Sequence, residues 1–193
     1  MPSLAGQAYA GLMTVVITNY SRCDDLREAL QSICAQDYPK MEIIVVDNAS
    51  MDGSVSMMSA EFPETQVIEL RENRGLDGYS VGFEHSRGEF IFQMDNDSLM
   101  PDASVLSQVV RRFQEGPSEL AVVATRVEEY QGNGDSINEL RKRDVRQGPI
   151  NTGGFHAGGV GFRRDFLDEV GYYNKDVFLY GSELFLQMRF LAA

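Results

Sequence analysis

An open, mostly parallel α/β sheet flanked by helices is the fold class this sequence predicts. Short β-branched apolar runs recur along the chain, and stretches with helical apolar spacing separate them. The position of the acids adds a third observation. Two of the runs end abruptly in aspartate, at Asp47 and at Asp95-Asn96-Asp97. In open α/β sheets, ligands bind beyond the carboxyl ends of the strands.

The elements follow in order. "MTVVIT" (Met13–Thr18) is a buried strand. In "DDLREALQSICAQ", Leu26, Ala29, Leu30, Ile33 and Cys34 recur at helical spacing, and Asp25 with Glu28 resembles a capping box. Cys34 lies on that apolar face and reads as a buried thiol. "MEIIVVD" (Met41–Asp47) is a second buried strand, so strand, helix and strand within about 35 residues form a right-handed βαβ unit. Asp52–Phe62 reads as a helix, Thr65–Leu70 as a strand, "GYSVGFEHSRG" as a helix and "GEFIFQMD" as the fourth strand. Pro101 suits the first position of a helix that opens "PDASVLSQVVRRFQ". Glu119–Val127 is a fifth strand, and the polar residues 128–150 form a long loop. The Gly-rich, aromatic "GGFHAGGVGFRR" follows, then a short helix "RDFLDEV" ending at Gly171, then a terminal helix in "FLYGSELFLQMRFLAA". Residues 1–193 are expected to form a single domain.

Composition narrows the function. Apolar residues are 43% and charged residues 24%, as in soluble globular proteins. A net charge of −12 argues against nucleic acid as a partner, because phosphate backbones need a concentrated basic surface. Cys23 and Cys34 have neither zinc nor C-x-x-C spacing, which suggests a reducing compartment. The opening "MPSLAGQAYAGLM" lacks the basic region of a signal peptide, and no apolar stretch approaches the roughly 20 residues of a membrane span. The expected location is cytoplasmic, with room for peripheral association at the inner face of the membrane.

The strand tips carry the chemistry. Two carboxylates two residues apart repel unless neutralised. Asp95 and Asp97 at a strand tip suit a hard cation, since Mg²⁺ or Mn²⁺ takes one or two carboxylates and completes its shell with phosphate and water. The same residues also suit a turn that caps the next helix. Asp47 can accept hydrogen bonds from a ribose or base edge, or form a turn with Asn48. "ENRGLDG" (Glu72–Gly78) permits close backbone approach to a ligand, or a tight strand-to-helix turn. His85 reads as a surface residue and His156 as a loop residue. Arg141, Lys142, Arg143 and Arg146 form a basic cluster suited to solvent, a diphosphate or anionic headgroups.

Taken together, "VVITNYSR", "YPKMEIIVVDNASMDGS", "NRGLDG", "GEFIFQMDNDSLMP" and "GGVGFRRDFLDEVGYYNKDVFLYGSE" resemble, in order and spacing, a family 2 glycosyltransferase of the GT-A fold. The resemblance runs from about Thr14 to Arg189. It implies inverting, metal-assisted transfer of a sugar from a nucleotide-diphospho-sugar to a saccharide or lipid-linked saccharide, in polysaccharide or glycolipid assembly. It implies that Asp47 holds the base or ribose, that Thr18 lines the nucleotide pocket, and that Asn73 and Gly75 lie near the base. Asp97 would ligate Mg²⁺ or Mn²⁺, Asp95 would lie nearer the ribose and metal shell, and Gly158 and Gly159 would face the transferred sugar. Glu183 falls where the family's general base lies.

Two departures qualify the resemblance. Related sequences commonly read "YGEDVDLCLR" where this chain reads "YGSELFLQMR", so Ser182 and Phe185 replace acids and Glu183 stands alone. The chain also ends soon after Glu183, C-terminally short relative to the family. These features leave room for a nucleotide-sugar-binding module without catalysis. A nucleotidyltransferase fits less well, because "ITNYSRCDD" has no glycine for an early phosphate loop.

Overall fold

The computed structural model describes residues 9–126, 158–176, 178 and 186–190. Five strands and four helices alternate through the first part: β1 (Tyr9–Asn19), α1 (Cys23–Cys34), β2 (Met41–Asp47), α2 (Ser54–Glu61), β3 (Gln66–Glu69), α3 (Asp77–His85), β4 (Gly88–Asp95), α4 (Val105–Glu115) and β5 (Val122–Ala124). After residue 157 come β6 (Val160–Arg163) and α5 (Arg164–Val170), and residues 186–190 are helical. The six strands form one sheet in the order β3-β2-β1-β4-β6-β5. The β1–β2, β2–β3 and β1–β4 pairs are parallel, whereas β6 runs antiparallel to both β4 and β5.

Side-chain alternation along the central strands builds two apolar layers. Val15 and Ile17 of β1, with Phe90, Phe92 and Met94 of β4, face α1 and α4, where Leu26, Leu30, Ile33, Leu106, Val109 and Phe113 bury their stripes. Val16 and Ile91 face the other way. They join Tyr79 and Phe83 of α3, Phe162 of β6, Leu167 of α5, Tyr173 and Leu186. With both faces covered, the strands are continuous apolar runs, as parallel sheets require. The parity continues past the apolar residues and decides which layer each polar tip residue joins.

The structure corrects several sequence expectations. The "GVGFRR" part of the Gly-rich segment supplies β6, a four-residue antiparallel strand whose Val160 and Phe162 join the α3 layer. α4 starts at Val105 rather than at Pro101. Asp102 Oδ1 accepts bonds from both the amide and the hydroxyl of Ser104, an Asx turn that competes with helix in "PDAS". Cys34 is exposed rather than buried. The first turn of α1 has no capping box. Instead the amide of Cys23 donates to Asp52 Oδ2 at 2.8 Å, across 29 residues. Burial works to raise the Asp52 pKa, but bonds from the Ser54 hydroxyl and amide and from Cys23 outweigh it and hold the carboxyl below the ordinary range. His85 is exposed, as expected.

α3 packs directly on the sheet. A Cβ at Gly82 would lie 2.3 Å from Val16 Cγ1 and 3.3 Å from Val46 Cγ2. Valine is stiff at χ1 and cannot swing aside cheaply. Gly82→Ala is therefore expected to cost about 1–3 kcal/mol of stability through overpacking. Urea unfolding measures this, and a loss within error of zero would contradict the close approach.

Candidate functional site

The three central strands end level with one another. In the parallel registers Asn19 pairs with Asp47, and Thr18 pairs with both Val46 and Asp95. The first two acidic tips predicted from sequence, on β2 and β4, therefore flank β1 at one sheet edge. Alternation then divides the polar tip residues between two layers.

On the α1 side lies a buried amide–carboxylate network. Asn19 is 1% exposed and Asp47 2% exposed. Asn19 Nδ2 donates to Asp47 Oδ1 at 3.1 Å and to Ser50 Oγ at 3.2 Å, and the Ser50 amide donates to Asp47 Oδ2 at 2.8 Å. Both carboxylate oxygens thus accept a bond, which offsets the cost of burying a charge. Asn96 Nδ2 donates to Asn19 Oδ1 at 2.7 Å and joins the β4 tip to this network. The Ser21 amide donates to Ser50 Oγ at 2.8 Å, tying together the loops that follow β1 and β2. Tyr20 and Met51 on those loops are exposed apolar side chains.

On the α3 side, Thr18 Cγ2 and the Asn48 amide lie against Gly78. Asn48 clamps the loop before α3: its Oδ1 accepts from the Arg74 amide at 3.1 Å and its Nδ2 donates to the Gly75 carbonyl at 3.3 Å. Asn73 Oδ1 accepts from the Gly75 amide at 2.9 Å, so the predicted Asn73 and Gly75 share one tight turn. Gly75 sits at φ +58°, and a Cβ there would fall 2.0 Å from the Phe178 carbonyl oxygen. That carbonyl accepts from the Leu76 amide at 3.0 Å, which fastens the turn to the C-terminal part of the chain. Arg74 pairs with the buried Asp77.

The two acids of the β4 tip have different surroundings. Asp95 is half-buried, and its Oδ1 accepts from the Tyr79 hydroxyl at 2.7 Å. Burial, followed by the Asp95 charge, pushes the Tyr79 pKa well above the ordinary tyrosine value, so the phenol keeps its proton. Asp97 is exposed, and its Oδ2 accepts from Arg22 Nη1 at 2.8 Å. An exposed ion pair of this kind is worth about 0–1 kcal/mol and exchanges readily for another cation. Among the described residues, no three His, Cys, Asp or Glu side chains converge to hold a metal. The pair instead fits the style of Mg²⁺, which takes one or two carboxylates and leaves its other positions to phosphate and water.

The Thr125 amide and hydroxyl both donate to the Gly159 carbonyl, at 2.9 and 2.7 Å. Because Val160 pairs with Gln93, Gly159 and Gly158 approach the edge that carries Asp95. Glu183, Ser182, Phe185, His156 and the basic cluster Arg141, Lys142, Arg143 and Arg146 lie outside the described residues. Sequence reasoning missed Asn19, Asn48, Asn96, Tyr79 and Arg22. The three asparagines adjoin predicted strand tips, and that position was the available signal. Tyr79 and Arg22 carried none.

Comparison with known proteins gives the same architecture. The family model described as "Glycosyl transferase family 2" matches residues 14–171. An uncharacterized glycosyltransferase of Nostoc sp. is 25% identical over 172 residues, 82% of this chain and 52% of that protein. The succinoglycan biosynthesis protein ExoO of Rhizobium meliloti is 30% identical over 113 residues, 57% of this chain and 32% of its own. The chain thus spans about half, or less, of these curated relatives. Among solved structures, the mannosyltransferase PcManGT of Pyrobaculum calidifontis, in complex with GDP-Man and Mn²⁺, superposes with a TM-score of 0.72 at 25% identity. The match covers 97% of this chain and 54% of that one. TarS of S. aureus in complex with UDP-GlcNAc has the same fold, with a TM-score of 0.72 at 19% identity, covering 92% of this chain and 52% of its own.

The turn at Gly75 is testable by itself. Gly75→Ala places a side chain in the left-handed region and against the Phe178 carbonyl, and is expected to destabilise by more than about 1 kcal/mol. Hydrogen exchange at the Leu76 amide should accelerate while β1 and β4 amides stay protected. An unchanged Leu76 rate would contradict the docking of Phe178.

Proposed function

The chain belongs to glycosyl transferase family 2 and has the GT-A fold, and from that premise we propose that it transfers a sugar, with inversion, from a nucleoside-diphosphate sugar to a saccharide or lipid-linked saccharide. One observation carries the reading: the level tips of β2, β1 and β4 bring Asp47, Asn19 and the Asp95–Asp97 pair to one edge. The nucleotide sugars bound to PcManGT and TarS support this donor class. Residues of the apolar runs build the sheet, while the polar tips supply a recognition surface for a polyanion on an acidic protein.

Each residue has a role in this proposal. Asp47 and the amides around it accept and donate to the base or ribose, with Asn73 and Gly75 bordering the base and Thr18 walling the pocket. The exposed ring of Tyr20 offers a stacking face beside them. Asp97 would hold Mg²⁺ or Mn²⁺, with Asp95 nearer the ribose and the metal shell. The bound cation supplies charge neutralisation for the departing diphosphate. Gly158 and Gly159, buried at the edge that carries Asp95, would lie in the segment that faces the transferred sugar. Glu183 takes the proton of the acceptor hydroxyl as its oxygen bonds to the anomeric carbon. The bond from that carbon to the diphosphate oxygen breaks with its electron pair on the diphosphate, and attack from the opposite face inverts the centre.

Polysaccharide or glycolipid assembly is the proposed context, in line with the succinoglycan relative. Peripheral association with a membrane belongs to the same proposal. No helix among the described residues is long and apolar enough to cross one.

Calorimetric titration of UDP, GDP and dTDP with and without Mn²⁺ tests the donor assignment. One nucleotide should bind, more tightly with metal, and failure of all three would sink the transferase reading. Asp97→Asn is expected to remove at least about tenfold of the metal-linked affinity. Glu183→Gln should lower turnover by about 10²–10⁴-fold with nucleotide affinity retained. Unchanged turnover would remove Glu183 from the base role.

A further inference from the structure

The core explains the bulk of Tyr79 but not its hydroxyl. The ring packs in an aromatic cluster, with centroids 6.2 Å from Phe83 and 6.0 Å from Tyr173. A phenylalanine would fill that volume as well. Yet the residue is 0% exposed, and its hydroxyl lies 2.7 Å from Asp95 Oδ1 and 3.0 Å from the Met94 carbonyl oxygen. Both of these groups are acceptors in the last two residues of β4, and the Thr18 side chain of β1 also bonds the phenol. The hydroxyl therefore donates, and it does so at the tip rather than in the body of the strand.

The placement follows from two periodicities. Asp95 shares the parity of Ile91 and Gln93, so its side chain faces α3 rather than α1. On α3, Gly78 and Gly82 lie against β1 and β2, and Tyr79 is turned toward β4. A second buried phenol on the same layer provides an internal comparison. Tyr173 donates to Gln93 Oε1 at 2.9 Å, two residues earlier on β4 and away from the tip.

We propose that Tyr79 is a positioning residue for the transfer reaction, its buried hydroxyl holding the Asp95 carboxylate in the orientation that receives a metal–diphosphate complex. This inference rests on the transferase reading above. A carboxylate held by a buried donor loses less freedom on binding than one that must be ordered, so its contribution appears when metal and diphosphate are present together. The hydroxyl acts through Asp95, so its effect is expected chiefly where metal and diphosphate bind together.

The test is calorimetric. UDP and GDP are titrated into wild-type, Tyr79→Phe and Tyr173→Phe proteins, with and without saturating Mn²⁺, and the melting temperature of each free protein is recorded. Tyr79→Phe should keep the wild-type metal-free affinity and lose about tenfold of the affinity gained on adding Mn²⁺. Tyr173→Phe should keep both. An undiminished gain in Tyr79→Phe would overturn the positioning role while leaving the transferase reading intact. An equal loss in Tyr173→Phe, a parallel fall in metal-free affinity, or a collapsed melting temperature in Tyr79→Phe would assign the hydroxyl to packing and overturn it also. A wild-type protein that binds neither nucleotide with Mn²⁺ would overturn the transferase reading and the Tyr79 role together.

Discussion

The parallel register of β1 with its two neighbours is the constraint on which the rest depends. Asn19 level with Asp47, and Thr18 level with Asp95, make three strands end together. A one-residue slip of either neighbour would turn its apolar side chains to the wrong layer. The same slip would send its terminal aspartate to the other side of the sheet. Burial of Val15, Val16 and Ile17 thus fixes core and site at once. Because apolar burial is worth about 25 cal/mol per Å², the core outweighs any single polar contact at the tips in setting that register.

Given the register, alternation creates two kinds of carboxylate from similar sequence contexts. Asp47 follows Val46 into a buried network of amide and hydroxyl donors. Asp95 and Asp97 bracket a turn, one beneath a tyrosine hydroxyl and the other beside an exposed arginine. A buried carboxylate with one donor on each oxygen is held in a fixed orientation. An exposed one with a weakly held partner suits an exchangeable cation. The different surroundings of the strand-tip acids thus follow from parity and depth.

Local pattern made the strands and most helices legible, since β1 to β4 are apolar runs and α1 has clear helical spacing. What local pattern cannot express is a long-range partner. β6 exists because its backbone pairs with both β4 and β5 and its Val160 and Phe162 are buried with Tyr79 and Phe83 of α3, partners distant in sequence from "GVGF". The start of α1 is held by Asp52, which belongs to the loop before α2. Pro101 misled because the Asx turn of Asp102 and Ser104 intervenes. In the candidate site, Asp47, Asn73, Asp95 and Asp97 are legible by residue type at or after strand ends. Asn48 acts through backbone groups 26 and 27 residues away, and Tyr79 through a carboxylate 16 residues away. Such roles are set by the fold, and residue type alone does not announce them.

Diffraction at a wavelength where manganese scatters anomalously, from crystals holding Mn²⁺ with UDP or GDP, tests the central claim most directly. The account predicts an anomalous peak against the Asp95–Asp97 turn, with the nucleotide lying across the tips of β1 and β2 beside Asp47. Manganese at a remote site, or a nucleotide bound away from the carboxyl ends of β2, β1 and β4, would contradict it.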